Sequence, residues 1–193
     1  MSHFFAYISK MKWIKRWGLM KNTADENIME HSWQVAVIAH GLAMIRNTVF
    51  PEDGLIDECA LTLCAIYHET GEVITGDLAT PVKYFNPQVK NAFKDLDLIA
   101  REKIFGMLPE ELRPAYRPLI FPDTETEMYS LLKAADKICA YIKCLEELKW
   151  GNKEFAKAAV TIKNELKGLP QKEVQYFMER FIESFSLTLD ELN

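Results

Sequence analysis

Apolar positions recur along this chain at intervals of three and four, the spacing of one face of an α-helix. Residues 4–16 carry Phe4, Ile8, Met11 and Ile14 in that register. A polar stretch, 21–27, with Asn22, Thr23, Asp25 and Asn27, separates them from residues 31–47. The latter are apolar on most sides and predict a central helix. Pro51, Asp53 and Gly54 break it, and 55–68 predicts the next helix, with Gly71 as its stop. Further helices are predicted over 87–107, 110–116, 124–150, 152–166 and 170–185, the last opening at Pro170. Only 75–83, which reads Thr-Gly-Asp-Leu-Ala-Thr-Pro-Val-Lys, is extended and irregular. No alternating strand pattern runs beyond a few residues, and there is no repeat or low-complexity tract. The pattern predicts an all-α, single-domain helical bundle over residues 1–193.

Composition narrows the partners more than the fold. The 193 residues suffice for one domain with a substantial core. A formal net charge of -5, from 28 acidic and 23 basic side chains, opposes a long phosphate backbone, so nucleic acid is not an expected partner. A single phosphate in a cation-lined pocket remains compatible. The first ten residues lack an uninterrupted apolar core and a small-residue cleavage site. No apolar run approaches the roughly 20 residues of a membrane span. A cytoplasmic protein, off the membrane, is expected. Cys59, Cys64, Cys139 and Cys144 form no C-x-x-C pair. Cys59 and Cys64 are separated by about 500° of helical rotation, and reduced thiols packed as small hydrophobes are expected.

The candidate chemistry starts with the histidines. His31 begins the face continued by Val35, Ile38, Leu42 and Ile45, whereas His40 falls on the opposite side. His68 ends the stripe of Leu61 and Cys64. Each alone reads as a satisfied core histidine. Their carboxylate company changes the weighing: Glu69 follows His68 directly, Glu72 and Asp77 come soon after, and Asp136 lies between Leu132 and Cys139 on an apolar helix. A carboxylate on a buried face needs a pairing partner or a cation. Lys133 or Lys143 on the same helix would serve as the partner. The alternative is a metal, since two imidazoles and two carboxylates suit a borderline divalent ion. The string His68-Glu69-Thr70-Gly71-Glu72 is no protease H-E-x-x-H, because Glu72 stands where the second histidine belongs.

In order and interval, His31, His68-Glu69 and Asp136 resemble the H…HD…D pattern of the HD superfamily of metal-dependent phosphohydrolases. The flanking strings are similar to those of the bacterial 5′-deoxynucleotidases: Lys15-Arg16-Trp17, Glu30-His31-Ser32, Tyr67-His68-Glu69, the run from Gly76 to Tyr84, and the run from Ala134 to Leu148. The resemblance extends from the first helix to about Phe185. It implies hydrolysis of deoxyribonucleoside 5′-monophosphates by a homodimer that holds one divalent transition metal, such as cobalt or manganese. It further implies that His31, His68, Glu69 and Asp136 ligate that metal, and that His68 and Asp136 also border the substrate. Glu72 would handle protons, with Asp77 as a second acid, base or substrate contact. Arg16 would orient the phosphate, and Lys83 would add charge. Trp17 would crowd the sugar against a 2′-hydroxyl, and Asp77, Leu78, Ala79 and Thr80 would cover the nucleoside.

The chain departs from that pattern twice. Glu69 replaces the usual aspartate, one methylene longer, and is expected to bend so that it still ligates. Ala79 replaces a proline, which frees the loop backbone. These departures bear on metal choice and turnover. Two rival readings follow: an HD-type hydrolase of cyclic or pyrophosphorylated nucleotides, against which Arg16-Trp17 argues, or a nucleotide-binding relative disabled by Glu69.

Overall fold

The computed structural model describes residues 1–192, and these form a helical bundle. Among them the only β pairing is one isolated antiparallel bridge between Lys15 and Asn27. The centre is α2 (Ile28–Val49) and α8 (Glu127–Lys149), which pack on each other and on α3 (Glu58–Tyr67). Their ends are set by local chemistry. Asn27 accepts the Met29 and Glu30 amides while Glu30 reaches back to the Asn27 amide, a capping box. Asp57 caps α3 through Ala60, and Thr126 caps α8 through Tyr129. The face of α2 bearing Val35, Ala39, Leu42 and Ala43 is fully buried against Leu131, Leu132, Ala135, Ile138 and Ile142 of α8. Alanines at the crossing let the two backbones approach closely. His31 and Asp136 sit on these same buried stripes.

Around this pair lie α6 (Pro87–Phe105), α7 (Arg113–Ile120), α9 (Ala156–Lys167) and α10 (Lys172–Arg180). Where the central helices match the predicted spans, the shorter elements differ. Residues 4–16 are not one helix: α1 (Phe4–Ile8) passes into a 3-10 helix, Ser9–Trp13, and Ile14 is already extended. Phe4 is nevertheless buried, in a second core with Ile104, Leu108 and Ile120, its ring edge-on to Tyr116 at 5.3 Å. The last helix starts at Lys172, two residues after Pro170. The irregular stretch is flanked and entered by two short helices, α4 (Glu72–Thr75) and α5 (Thr80–Lys83).

Gly71 is not the helix stop the sequence suggests. Its φ of -61° is right-handed, so no left-handed cap forms. Its role is space: a Cβ there would run into the Asp97 carboxylate of α6. The carboxylate of Asp97 holds Arg101, whose guanidinium donates to the carbonyls of His68 and Ile120. A missing side chain at 71 thus lets α6 clamp the end of α3 where His68 sits.

The segment between α1 and α2 is tied to α8 by a buried ion pair. Glu147 accepts from the Thr23 amide at 2.9 Å, the Thr23 hydroxyl at 2.5 Å and Asn152 Nδ2 at 2.7 Å. Lys143 pairs with the same carboxylate and donates to the Ala24 carbonyl at 2.6 Å. Against the upward pull of burial, these donors hold the Glu147 carboxyl down to about 2. A carboxyl lowered on folding stabilises the fold above its unfolded range, and that contribution disappears as pH falls toward the folded value. Replacing Glu147 by Gln leaves a buried ammonium unpaired and should cost roughly 3–5 kcal/mol at pH 7. The difference between wild type and Glu147→Gln in urea unfolding should shrink as pH falls from about 5 toward 2. A difference independent of pH would contradict this role.

Candidate active site

Three helix ends and crossings bring the predicted donors together. His31 lies in the first turn of α2, His68 caps the C-terminus of α3, Glu69 follows it, and Asp136 lies midway along α8. One donor atom from each of the four falls within 4.8 Å of the others. Donors about 2.0–2.2 Å from one ion are at most about 4.4 Å apart, so small rotamer changes suffice for convergence.

The protons on His68 can be placed from its neighbours. Its Nδ1 is 2.6 Å from the Ala65 carbonyl, which can only accept, so Nδ1 carries the proton. In the neutral ring that a metal ligand must be, Nε2 then holds the lone pair. It is buried, without a hydrogen-bond partner, and 3.2 Å from Glu69 Oε1. Two lone-pair atoms facing each other in a buried site call for a cation between them, and the carbonyl behind His68 is the usual orienting partner of a metal-bound imidazole. The donor set fits a divalent ion.

His31 Nε2 lies 3.1 Å from Asp136 Oδ1, and its Nδ1 lies 2.7 Å from Arg16 Nη1. Burial, followed by the Arg16 charge, lowers the His31 pKa and favours the neutral ring that a ligand must be. Burial pushes the Asp136 carboxyl up, but the Lys133 ammonium and His31 outweigh it and hold the group well below the carboxylate range. Of the two lysines considered from sequence, Lys133 pairs with Asp136, at 2.7 Å, and Lys143 belongs to Glu147. Pairing and clustering therefore coexist at Asp136: Oδ2 faces the lysine and Oδ1 faces His31.

The flanking residues surround this cluster. Arg16 and Trp17 lie on the extended segment that returns toward α2, held by the Arg16 amide on the Glu26 carbonyl at 2.9 Å. Trp17 has a φ of 59°, left-handed and costly for a bulky residue. Its amide donates to Asp77 Oδ2 at 3.2 Å and its ring packs edge-on to Phe155 at 5.3 Å. Asp77 therefore braces Trp17 from across the site. Gly76 supplies the positive φ, 72°, that turns the chain toward Asp77. Leu78 and Ala79 are half-buried between Asp77 and α5, and Thr80 is exposed at its start. The Lys83 ammonium lies over the Phe93 ring at 4.8 Å.

Glu72 is buried on α4. Burial, then the Glu69 and Asp77 carboxylates, push its carboxyl up to about 10, so it carries a proton at neutral pH. The residue that sequence reasoning passed over is Glu26, within the polar stretch before the capping box. Its carboxylate accepts from Arg16 Nη1 at 2.9 Å and from the Trp17 indole N–H at 3.1 Å. The faint signal was position: it directly precedes the Asn27 cap, where the chain must turn back beneath the first turn of α2.

The helical fold is shared with HD-domain phosphohydrolases of known structure. An HD-domain phosphohydrolase from Listeria innocua superposes with a TM-score of 0.81 at 21% identity, covering 95% of this chain and 88% of that one. The cyanophage S-2L HD phosphohydrolase, solved with dA and one catalytic Zn2+ ion, superposes with a TM-score of 0.63 at 19% identity, covering 93% and 96% of the two chains. At that identity the likeness concerns the fold. Sequence narrows the class: residues 3–185 match the 5′-deoxynucleotidase YfbR-like family, and the chain belongs to it. Over all 193 residues it is 49% identical to a 5′-deoxynucleotidase of Erwinia tasmaniensis, covering 96% of that protein. It is 48% identical to 5′-deoxynucleotidase YfbR of Escherichia coli K12, again covering 96%.

Proposed function

We propose that the protein is a metal-dependent 5′-deoxynucleotidase, a single domain over residues 1–193 that converts deoxyribonucleoside 5′-monophosphates to deoxyribonucleoside and phosphate. The observation that carries this is the convergence of His31, His68, Glu69 and Asp136, with the lone pair of His68 turned into the cluster, beside an Arg16-Trp17 pair. Family membership over nearly the whole chain supports the substrate class. His31, His68, Glu69 and Asp136 would hold one divalent ion, and the mixed nitrogen and oxygen donors suit cobalt or manganese. Glu69, despite its extra methylene, folds into the cluster rather than away from it, which favours the enzyme over a disabled relative. When bound, the metal polarises a phosphoryl oxygen and lowers the pKa of a water so that it attacks phosphorus.

The chain's own residues do the rest. Arg16 grips phosphate oxygens through a planar guanidinium kept charged by Glu26, Asp136, Glu69 and Asp77 despite its burial. His68 and Asp136 border the same phosphate. As the bond from phosphorus to the 5′-oxygen breaks, protonated Glu72 supplies the proton that the leaving oxygen takes, and the attacking water restores it. Trp17, fixed on both its amide and its indole N–H, walls the sugar at the 2′ position. Asp77 holds that wall and, with Leu78, Ala79 and Thr80, covers the nucleoside, while Lys83 adds positive charge. We place the enzyme in the cytoplasm, acting on free nucleotides rather than on nucleic acid or at a membrane. No helix among the described residues is long and apolar enough to cross a bilayer.

We further propose a homodimer across the outer face of α2 and α3. Trp33, Val37 and Met44, with Leu63 and Ile66, are apolar yet exposed there, on adjoining helices. Sedimentation velocity should show a wild-type dimer, and Trp33→Glu combined with Val37→Glu should shift it toward monomer. A wild-type monomer at tens of micromolar contradicts this interface.

The catalytic reading is tested by phosphate release from dAMP and AMP. Chelation should abolish release, and added cobalt or manganese should restore it. Trp17→Ala should bring the dAMP and AMP rates together, since a steric wall discriminates by clash. Arg16→Ala should instead depress turnover on both, by about 100-fold. Full activity after chelation, or an unchanged dAMP/AMP ratio in Trp17→Ala, overturns the respective assignment.

A further inference from the structure

His31 has two neighbours whose demands on its ring are opposite. Arg16 Nη1 stands 2.7 Å from Nδ1. A guanidinium only donates, so in that contact Nδ1 holds the lone pair and the proton sits on Nε2, facing Asp136. Ligation through Nε2 requires the reverse, a lone pair on Nε2 and the proton on Nδ1. Arg16 cannot then remain against Nδ1, because two N–H groups would face each other. An acceptor must take its place, as metal-bound imidazoles generally require.

Glu26 is the carboxylate facing that atom. Its Oε1 lies 3.8 Å from His31 Nδ1, and its side chain is largely buried. Its Oε2 already accepts the Trp17 indole N–H at 3.1 Å and Arg16 Nη1 at 2.9 Å. One carboxylate thus borders a metal-ligand histidine, the phosphate-binding arginine and the sugar wall.

We propose that Glu26 is a positioning residue that couples metal retention to sugar selection. Oε1 takes the Nδ1–H of the ligating His31 and fixes its tautomer. Oε2 fixes the Trp17 indole at the sugar. Arg16, displaced from Nδ1 but still held beside Glu26, is turned toward the substrate phosphate. The Trp17 backbone reinforces the need for such a tie, because a bulky residue at positive φ persists only where its surroundings over-determine it. The inference rests on the reading of the site as a metal-dependent deoxynucleotidase.

The test is Glu26→Gln, with two readouts taken on folded protein. The first is the dissociation constant of cobalt, measured without substrate by competition with a chromophoric chelator. It should rise about 10- to 100-fold, the usual cost of losing the partner of a ligating histidine. The second is the ratio of kcat/KM for dAMP to that for AMP at saturating cobalt, which should fall at least threefold. Trp17→Phe, which removes the indole N–H together with its five-membered ring, should lower the ratio and leave the cobalt constant within twofold. If Glu26→Gln does not fold, Glu26→Asp serves, since its shorter carboxylate withdraws from both partners and should move both readouts in the same direction. A Glu26 variant that moves neither readout, or only one, overturns the coupling. A wild-type protein that binds cobalt but cleaves no deoxynucleotide would defeat the functional reading and the sugar half with it. The cobalt comparison would still decide the His31 half.

Discussion

Two imidazoles and two carboxylates meet at one place in the bundle, the histidines buried and the carboxylates partly so. His31 and His68 turn imidazole edges toward the carboxylates of Glu69 and Asp136, at a crossing where the surrounding packing leaves little room to relax. Such crowding is costly unless a cation occupies the centre or lysine and arginine neutralise the rim. The fold supplies the rim through Lys133 and Arg16, and the donor chemistry implies the centre. Much else in the structure serves to keep those donors from separating. The α2 and α8 stripes are packed without slack on either side of His31 and Asp136. Arg101 clamps the carbonyl of His68 from α6, and the absence of a side chain at Gly71 leaves room for the Asp97 carboxylate that holds it.

The second tier of the site is a loop problem. Arg16 and Trp17 come from an irregular segment, which helix packing alone cannot position. Its placement depends on polar groups: the Glu147 and Lys143 pair at one end, the short backbone pairing of 15–16 with 26–27 at the other, and Glu26 and Asp77 on Trp17 itself. Positive φ at Trp17 shows that local preference has been overruled there. Strain concentrated at a residue facing the donor cluster is what pre-organisation looks like in backbone terms. The donor cluster and the loop meet at one carboxylate, Glu26, which lies 3.8 Å from His31 Nδ1 and accepts from Arg16 and Trp17.

The central helices were legible in the sequence through the 3.6-residue repeat, and the four clustered donors through their carboxylate neighbours and the resemblance of the H…HD…D order. His31 and Asp136 had to lie on the faces marked by Val35 and Leu42 and by Leu132 and Cys139, and they do. What periodicity could not convey was geometry set by non-local contacts. Residues 4–16 keep their apolar spacing yet tighten into a 3-10 turn, because Phe4 is drawn into a pocket built by α6 and α7, a hundred residues away. Gly71 suggested a helix cap by type, whereas its role comes from Asp97 on another helix. Glu26 offered only its position before the Asn27 cap, since its partners Arg16, Trp17 and His31 converge only when the segment doubles back. Periodic signals report which face is buried; they are silent on which polar groups meet across a turn.

The proposed chemistry depends on one ion at the crossing of α2, α3 and α8. The most direct measurement is anomalous diffraction from crystals of the cobalt-loaded protein, recorded at the cobalt edge. One strong anomalous peak per chain is expected, about 2.0–2.2 Å from donor atoms of His31, His68, Glu69 and Asp136, with His31 bound through Nε2. A peak elsewhere, or one ligated by the histidines and Asp136 with Glu69 turned away, would contradict the proposed site.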